Sequence, residues 1–482
     1  MSKAPAPADA FPRWRVFPAI GLGVIMATLD ISVVNIALPT LQRSFHSPLT
    51  TVEWVVIAYV LTITGLLLSA GRLADLRGRR RVYATGLVIF TAASALCGAA
   101  PSIGWLIAAR VLQGVGAALV SANGSALLVS AFPLEERGRA LGAFGAMVGV
   151  GLAIGPVLGG LVVQHLSWRW IFFVNLPLGV LTLWLLFQRV RAEPPAPGAQ
   201  ALDAPAAITW SAALVALMLA ASRGPVLGWQ HPAIAALFVL AALLLLGFGW
   251  IERRSKHPML PLALLFSPLG LAVSLTFLAQ MLSIAVGFHL PLYLEDVLGF
   301  SAAKTGGWLA ALPLAALFIA PFAGRIADRI GARPLTIGGM GMTAVGLWVL
   351  SDVGTSPHPA HLIGGMLLIG AGQGLFAVPN ASALLSLVPR EQLGIASGLQ
   401  GTARNLGIAT GSAVMGAIVA SRYSANGGGV LAASASTAVN RSAFAAATHD
   451  AYIAMAILAV FATWVAWRQR GAVRPRPEPP AA

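Results

Sequence analysis

Gly71–Arg81 reads GRLADLRGRRR and Gly324–Pro334 reads GRIADRIGARP, the second copy standing 253 residues after the first (Gly71 against Gly324). Each copy follows a long apolar run and precedes another. A soluble enzyme has no reason to repeat an acidic–basic motif at the junctions of apolar runs. A membrane protein made of two similar helical bundles does. Two more pairs keep nearly the same spacing: PLEERGRALG from Pro133 matches PREQLGIASG from Pro389, and NGSAL from Asn123 matches NASAL from Asn380. Three matches at almost one offset describe a duplicated unit.

Composition agrees. The chain is 57% hydrophobic and 10% charged, with a mean hydropathy of +0.81, whereas an average soluble domain has roughly 25% charged residues. The net charge of +15 does not point to nucleic acid, because the basic residues sit in short stretches between apolar runs rather than on one soluble domain. Cys97 is the single cysteine, so no disulfide within the chain and no cysteine-rich metal site is available; it reads as a small core residue. No GxxxxGK[ST] sequence is present, which argues against an ATP-driven pump. The polar start followed by a long apolar run is read as a first span rather than a cleaved signal.

Apolar runs near the ~20 residues needed to cross hydrocarbon predict spans at 16–38, 52–71, 82–100, 103–130, 139–163, 168–190, 206–222, 232–251, 268–294, 302–324, 333–352, 358–387, 394–420 and 447–468. The run at 206–222 is the weakest. Basic residues mark the cytoplasmic side, and they fall on alternate junctions, as at Arg77–Arg81, Arg253, Arg254, Arg325 and Arg329. The opposite junctions hold only Arg43, Arg169, Arg223, Lys304, Arg422 and Arg441, while Arg110 and Arg404 lie within spans. Both termini are therefore expected inside. The expected fold is an all-α integral membrane protein. Residues 1–190 form a six-helix bundle, 191–260 a Pro/Ala-rich linker with an inserted helix pair, 261–470 a second six-helix bundle, and 471–482 a disordered tail. An even number of spans per repeat makes the bundles parallel, with a central cavity and alternating access.

Four stretches carry chemistry. Leu29–Pro39 (LDISVVNIALP) puts Asp30 well inside a span, where an ionisable group costs at least ~2.5–3.5 kcal/mol on insertion scales and by default marks a pathway. Asp30 is a candidate for taking up and releasing a proton or for meeting a cationic substrate; a capping or snorkelling carboxylate is the plainer alternative. In the repeated motif, Gly71 and Gly78 permit tight turns and close packing. Asp75 can accept bonds from a helix N-terminus, and Arg79 can reach an acid or a carbonyl. Arg325 and Asp328 belong to the second copy. Arg110–Ala118 (RVLQGVGAA) places an arginine in a span, where it needs an anion, carbonyls or water; one sequence does not say whether Asp30 is that anion. Gly151–Gly160 (GLAIGPVLGG) sets Gly151, Gly155 and Gly159 at i, i+4 and i+8, a stripe for close helix contact, with Pro156 and Gly160 beside it.

These stretches resemble the major facilitator superfamily, and within it the 14-helix drug:proton antiporters of the EmrB/QacA type, over nearly the whole chain. Leu29–Pro39 is similar to that family's LDxTVVNVALP, with Ser32 for its threonine. Gly71–Arg81 resembles the superfamily's signature between helices 2 and 3, Arg110–Ala118 the RxxQGxGxA motif of proton-driven members, and Gly151–Gly160 the so-called antiporter motif of exporters. Trp168–Pro177 (WRWIFFVNLP) looks like the family's start of helix 6, with Trp168 and Trp170 as expected outer-interface anchors. The resemblance implies proton coupling through Asp30 and Arg110. It also implies a cytoplasmic latch of Gly71, Asp75, Gly78, Arg79, Arg325 and Asp328. Asn35, Trp54, Tyr59, Gln113, Asn123, Gln280, Asn380 and Arg404 are candidates to line the cavity. His289, before Leu290-Pro291, is read as structural. Arg404 and Asn405 stand in helix 13, where some relatives that expel dications carry carboxylates, and this disfavours a dication pump.

The expected function is proton-driven export of lipophilic drugs or toxic compounds across the bacterial cytoplasmic membrane, with no cofactor or metal. The expected partners are the lipid bilayer, a small lipophilic substrate and protons, with no nucleic acid; the resemblance leaves room for a periplasmic adaptor protein. A dedicated exporter of one metabolite, antibiotic or siderophore is the alternative. Uptake by symport is argued against by the antiporter motif. A membrane enzyme or sensor is argued against because no cluster of acids, histidines or a nucleophile falls at membrane depth.

Overall fold

The computed structural model describes residues 13–133, 136–191, 203–255, 258–352, 354–355, 357–427 and 440–469. The Pro/Ala-rich part of the linker, residues 428–439, the C-terminal tail and Glu135 of the repeated PxExxG stretch fall outside them. The order of long helices is α1 Phe17–Phe45, α2 Trp54–Arg77, α3 Arg79–Gly98, α4 Ile103–Ser130, α5 Arg137–His165, α6 Asn175–Arg189, α7 Ala204–Leu227, α8 Pro232–Arg254, α9 Pro268–Leu292, α10 Ala311–Ile330, α11 Ala332–Ser351, α12 Pro359–Ser386, α13 Leu393–Ala425 and α14 Arg441–Arg468. Among the described residues twelve helices are long and apolar enough to cross a membrane; α5 and α13, at 29 and 33 residues, are as long. Helix is what hydrocarbon permits, since each backbone N–H and C=O must be bonded inside its own segment. The weakest expected span, 206–222, is a full helix of 24 residues.

Local chemistry sets the helix ends. Ser102, Ser267, Ser301 and Asn440 cap helix starts by accepting first-turn N–H bonds, a role suited to short polar side chains. Two expected spans are interrupted, each four residues before a proline. Trp170–Phe173 is a separate turn ahead of α6, and Pro177 follows Phe173 by four. Ala302–Leu309 is separate from α10, and Pro313 follows Leu309 by four. Proline has no N–H for the i−4 carbonyl and its ring collides with it.

The repeated motif was expected as a connecting loop and is almost wholly helical. Its first copy runs in α2 to Arg77 and resumes in α3 at Arg79, so the connection is the one residue Gly78, at φ 92°. Gly331, at φ 89°, does the same between α10 and α11. A side chain at positive φ is strained, which is why both positions are glycine.

The chain divides into two compact units. The first takes Met1–Leu134, Ala146–Ser211 and Arg390–Gly401; the second takes Glu135–Gly145, Ala212–Pro389 and Thr402–Ala482. In the first, Leu29, Val33, Val55, Ile171 and Phe172 form a core in which Trp168 is buried against Phe45 and Phe172. Trp168 is thus a packing residue at 4% exposure, not an interface anchor, while Trp170 is 52% exposed. In the second, Leu347, Met366, Tyr452 and Met455 centre the core. His289 lies there, bonded to Thr448 and stacked on Phe444, a structural histidine as read from the sequence.

The duplication extends to glycine contacts that the motifs did not reveal. A Cβ on Gly86 of α3 would stand 2.9 Å from the Gly116 carbonyl of α4, and one on Gly339 of α11 would stand 2.6 Å from the Gly372 carbonyl of α12. Backbones this close leave no room for a methyl group, so replacing Gly372 by Ala is expected to destabilise by about 1–3 kcal/mol, the usual cost of overpacking. Thermal unfolding of the purified protein should show a lower Tm for Gly372→Ala and little change for Gly338→Ala, whose Cβ would meet nothing within 4 Å.

Candidate functional site

Asp30 is 1% and Arg110 0% exposed, and they form an ion pair at 2.6 Å between Oδ2 and Nη1. The cluster draws on five helices of the first unit, with Asp30 on α1. α4 supplies Arg110 and, one turn on and on the same face, Gln113, whose Oε1 accepts from Arg110 Nη1 at 2.6 Å and whose Nε2 donates to Asp30 Oδ1 at 2.9 Å and to Ser94 Oγ at 2.8 Å. α2 supplies the Val55 carbonyl, which accepts from Arg110 Nε at 2.9 Å, and Tyr59, whose ring lies 3.8 Å from the guanidinium carbon. α3 supplies Ser94, and α6 supplies Asn175, whose Nδ2 donates to Asp30 Oδ1 at 3.2 Å. Cys97 is buried beside Gln113.

The arrangement is electrostatically complete for an ionised acid, because each carboxylate oxygen of Asp30 accepts at least one bond. Charge-assisted bonds of this kind are about twice as strong as neutral ones. Arg110 is held in addition by cation–π contact with Tyr59 and by the Val55 carbonyl.

A second set of carboxylates acts at helix starts. Asp75 Oδ1 and Oδ2 accept from the N–H groups of Gly394 and Ile395, both at 2.9 Å, at the start of α13. Arg79 binds Asp75 at 2.9 Å and also donates to the Arg390 carbonyl. In the second unit Asp328 Oδ1 and Oδ2 accept from Gly138 and Arg139, at 2.9 and 3.0 Å, at the start of α5. Each bidentate acid satisfies two first-turn donors and sits at the positive end of a helix dipole. Gly71 and Gly324 let the backbones meet, since a Cβ on either would overlap the carbonyl of Gly394 or Gly138. The two repeated motifs are therefore partners crosswise: the acid of each copy grips the PxExxG stretch of the other repeat. Arg325, expected in the second clamp, is exposed and lies over Phe322. The position equivalent to Arg79 is Ala332.

The glycine stripe of α5 packs on α1. Cβ atoms on Gly151 and Gly155 would overlap Thr28 and Ser32, and one on Gly159 would stand 3.2 Å from Val33. Gly160 faces open space and is not part of the contact. Pro156 lies within the helix.

The expected cavity residues separate into groups. Tyr59, Gln113, Asn123 and Asn380 are fully buried rather than lining open space. The first two belong to the ion-pair cluster. Asn123 bonds the Leu119 carbonyl, and Asn380 bonds Ala272 and Thr276. Trp54 and Gln280 are half-buried, and Asn35 and Arg404 are exposed. Ser94 and Asn175 are the cluster members not foreseen. Asn175 lies in the WRWIFFVNLP stretch, a signal available in the sequence; a serine in an apolar helix gives none.

Removing Arg110 alone strands a buried carboxylate, which typically costs about 3–5 kcal/mol. Arg110→Met is expected to lower the Tm of the purified protein more than the double change Asp30→Asn/Arg110→Met does. Simple addition of the two single effects would mean the pair does not hold this cluster.

A family model described as Major Facilitator Superfamily matches residues 20–283 and 272–482. Multidrug resistance protein Stp of Mycobacterium tuberculosis (strain CDC 1551 / Oshkosh) is 37% identical over 412 residues, 84% of this chain and 76% of that protein. The tetracenomycin C resistance and export protein of Streptomyces glaucescens is 32% identical over 415 residues, 85% and 76% of the two chains. Among solved structures, the proton:xylose symporter XylE superposes with a TM-score of 0.66 over 95% of this chain and 96% of that one, at 15% identity, a likeness of fold alone.

Proposed function

The chain belongs to the Major Facilitator Superfamily, a family of transporters rather than enzymes, and we propose that it exports lipophilic drugs or other toxic compounds across the cytoplasmic membrane in exchange for protons. Relatives named for multidrug resistance and for antibiotic export support the substrate class. The observation that carries the coupling is the Asp30–Arg110 pair, an acid buried in the membrane-spanning region and held by donors from α4 and α6.

The cycle follows from the bonds of that cluster. With Asp30 ionised, Arg110 is held at 2.6 Å and the cluster is closed. A proton arriving from outside neutralises Asp30 and weakens the pull on Arg110, leaving it to Gln113, the Val55 carbonyl and the face of Tyr59. Loss of the proton to the cytoplasm restores the pair, and substrate moves outward in the other half of the cycle. The clamps of Asp75 and Asp328 hold helix starts on the side that the basic residues mark as cytoplasmic. Their four backbone bonds act as a latch that breaks when the protein opens to that side. The latch of Asp75, with Arg79 added, is the stronger. Both termini lie inside.

A dedicated exporter of a single antibiotic is the second reading, favoured by the relative named for tetracenomycin C. A growth-inhibition panel in a pump-deficient bacterium, paired with proton flux in inside-out vesicles, tests the proposal. Wild type is expected to protect against several lipophilic compounds and to draw protons out of the acid vesicle lumen when substrate is added. Asp30→Asn, at matched membrane levels, should lose both. An Asp30→Asn protein that pumps at an undiminished, pH-independent rate would sink the proton role; protection against one compound class alone would favour the dedicated exporter.

A further inference from the structure

We propose that Arg404 is an anion-recognition residue of the substrate site, so that the exported compounds carry a negative charge, such as a carboxylate, on an apolar frame. This rests on the export reading above.

Arg404 lies eleven residues into α13, about 16 Å along the axis at 1.5 Å per residue. That places it well inside a helix about 50 Å long, longer than a hydrocarbon core roughly 30 Å thick. Among the described residues it makes no hydrogen bond, ion pair or ring contact, and no charged group acts on it. Arg110, the other arginine within a span, has an acid, an amide, a carbonyl and an aromatic face. Arg404 has none of these. The acids of the second unit have other partners or stand at helix ends: Glu252 bonds the backbone of Met259 and Leu260, Asp328 grips α5, Asp450 pairs with Arg422, and Glu295 and Asp296 lie beyond the end of α9.

The side chain is exposed. Facing lipid at this depth would be costly for arginine, so the open space beside it is internal. Neighbouring residues of α13 outline that space. Ser397 bonds Ser125, and Gly401 would bring a Cβ to 3.1 Å from Leu67, so the cytoplasmic part of this face is packed. The same stripe continues as Arg404, Ile408 and Ser412, spaced by four. Here packing stops: Ile408 is 38% exposed and Ser412 half-buried. On α9, Gln280 stands opposite Gly407, whose Cβ would be 3.0 Å from that of Gln280. The Gln280 side chain is half-buried and makes no hydrogen bond among the described residues. An unpaired guanidinium, a free amide and a hydroxyl suit an apolar molecule bearing one anionic group. Guanidinium takes carboxylate in a two-pronged bond, and a lipophilic cation would meet a like charge.

The test uses the full chain in proteoliposomes with an imposed proton gradient. Two lipophilic carboxylates, fusidate and deoxycholate, are compared with two lipophilic cations, ethidium and tetraphenylphosphonium. Wild type is expected to move at least one carboxylate. Arg404→Gln should slow it by about tenfold or more, the scale of one lost bond to a charged group, with cation transport equal or improved. Arg404→Lys, which keeps the charge without the fork, should retain carboxylate transport with a raised KM. If Arg404→Gln does not reach the membrane, that KM shift, confined to carboxylates, decides. Wild type moving the cations and neither carboxylate overturns the assignment while leaving export intact. So does equal loss of both classes in a well-folded Arg404→Gln. Transport of none of the four would instead remove the export reading on which the assignment rests.

Discussion

Hydrocarbon offers no partner to a polar group, and the structure of this chain is organised by where such groups find partners inside the protein. Backbone groups find them within helices. The groups left over are few, namely first-turn N–H donors, one mid-membrane acid and two mid-membrane arginines. Asp75 and Asp328 each take two first-turn donors of a helix far along the chain. Asp30 takes Arg110. Arg404 makes no hydrogen bond or ion pair among the described residues, and it is the residue we assign to a ligand's charge.

The same constraint explains why glycine recurs at the contacts. A carboxylate can reach backbone N–H groups only if the two backbones come very close, and Gly71 with Gly394, and Gly324 with Gly138, remove the side chains that would prevent it. Gly78 and Gly331 then turn the chain within one residue, so that Arg79 begins the next helix a turn away from Asp75 and completes the first clamp. In the second copy Ala332 stands where Arg79 would be. The duplicated design is thus not identical in its two copies.

Fold and family were legible in the sequence because their causes are local. Length and apolarity made each span, and nearly constant offsets between Gly71, Asn123, Pro133 and their counterparts exposed the duplication. Asp30 and Arg110 could be singled out one at a time, since an ionisable residue within an apolar run is conspicuous. Even the interruptions before Pro177 and Pro313 follow from a local rule, although each was expected as a continuous span.

What tertiary structure alone decided was which way each residue faces. A soluble helix announces its inner face by an apolar stripe; a membrane helix is apolar on every side, so periodicity cannot tell a residue in the protein interior from one beside a cavity. Tyr59, Gln113, Asn123 and Asn380 therefore read the same as Asn35 and Arg404, yet the first four are buried and the last two exposed. The pairing of Asp30 with Arg110, and the crosswise grip of each repeated motif on the other repeat, depend on helices brought together from 80 to 320 residues apart. The sequence by itself determined the helices and the residues too polar to be idle; only packing determined which of those residues satisfy one another, because in a uniformly apolar helix nothing but a neighbour defines a face.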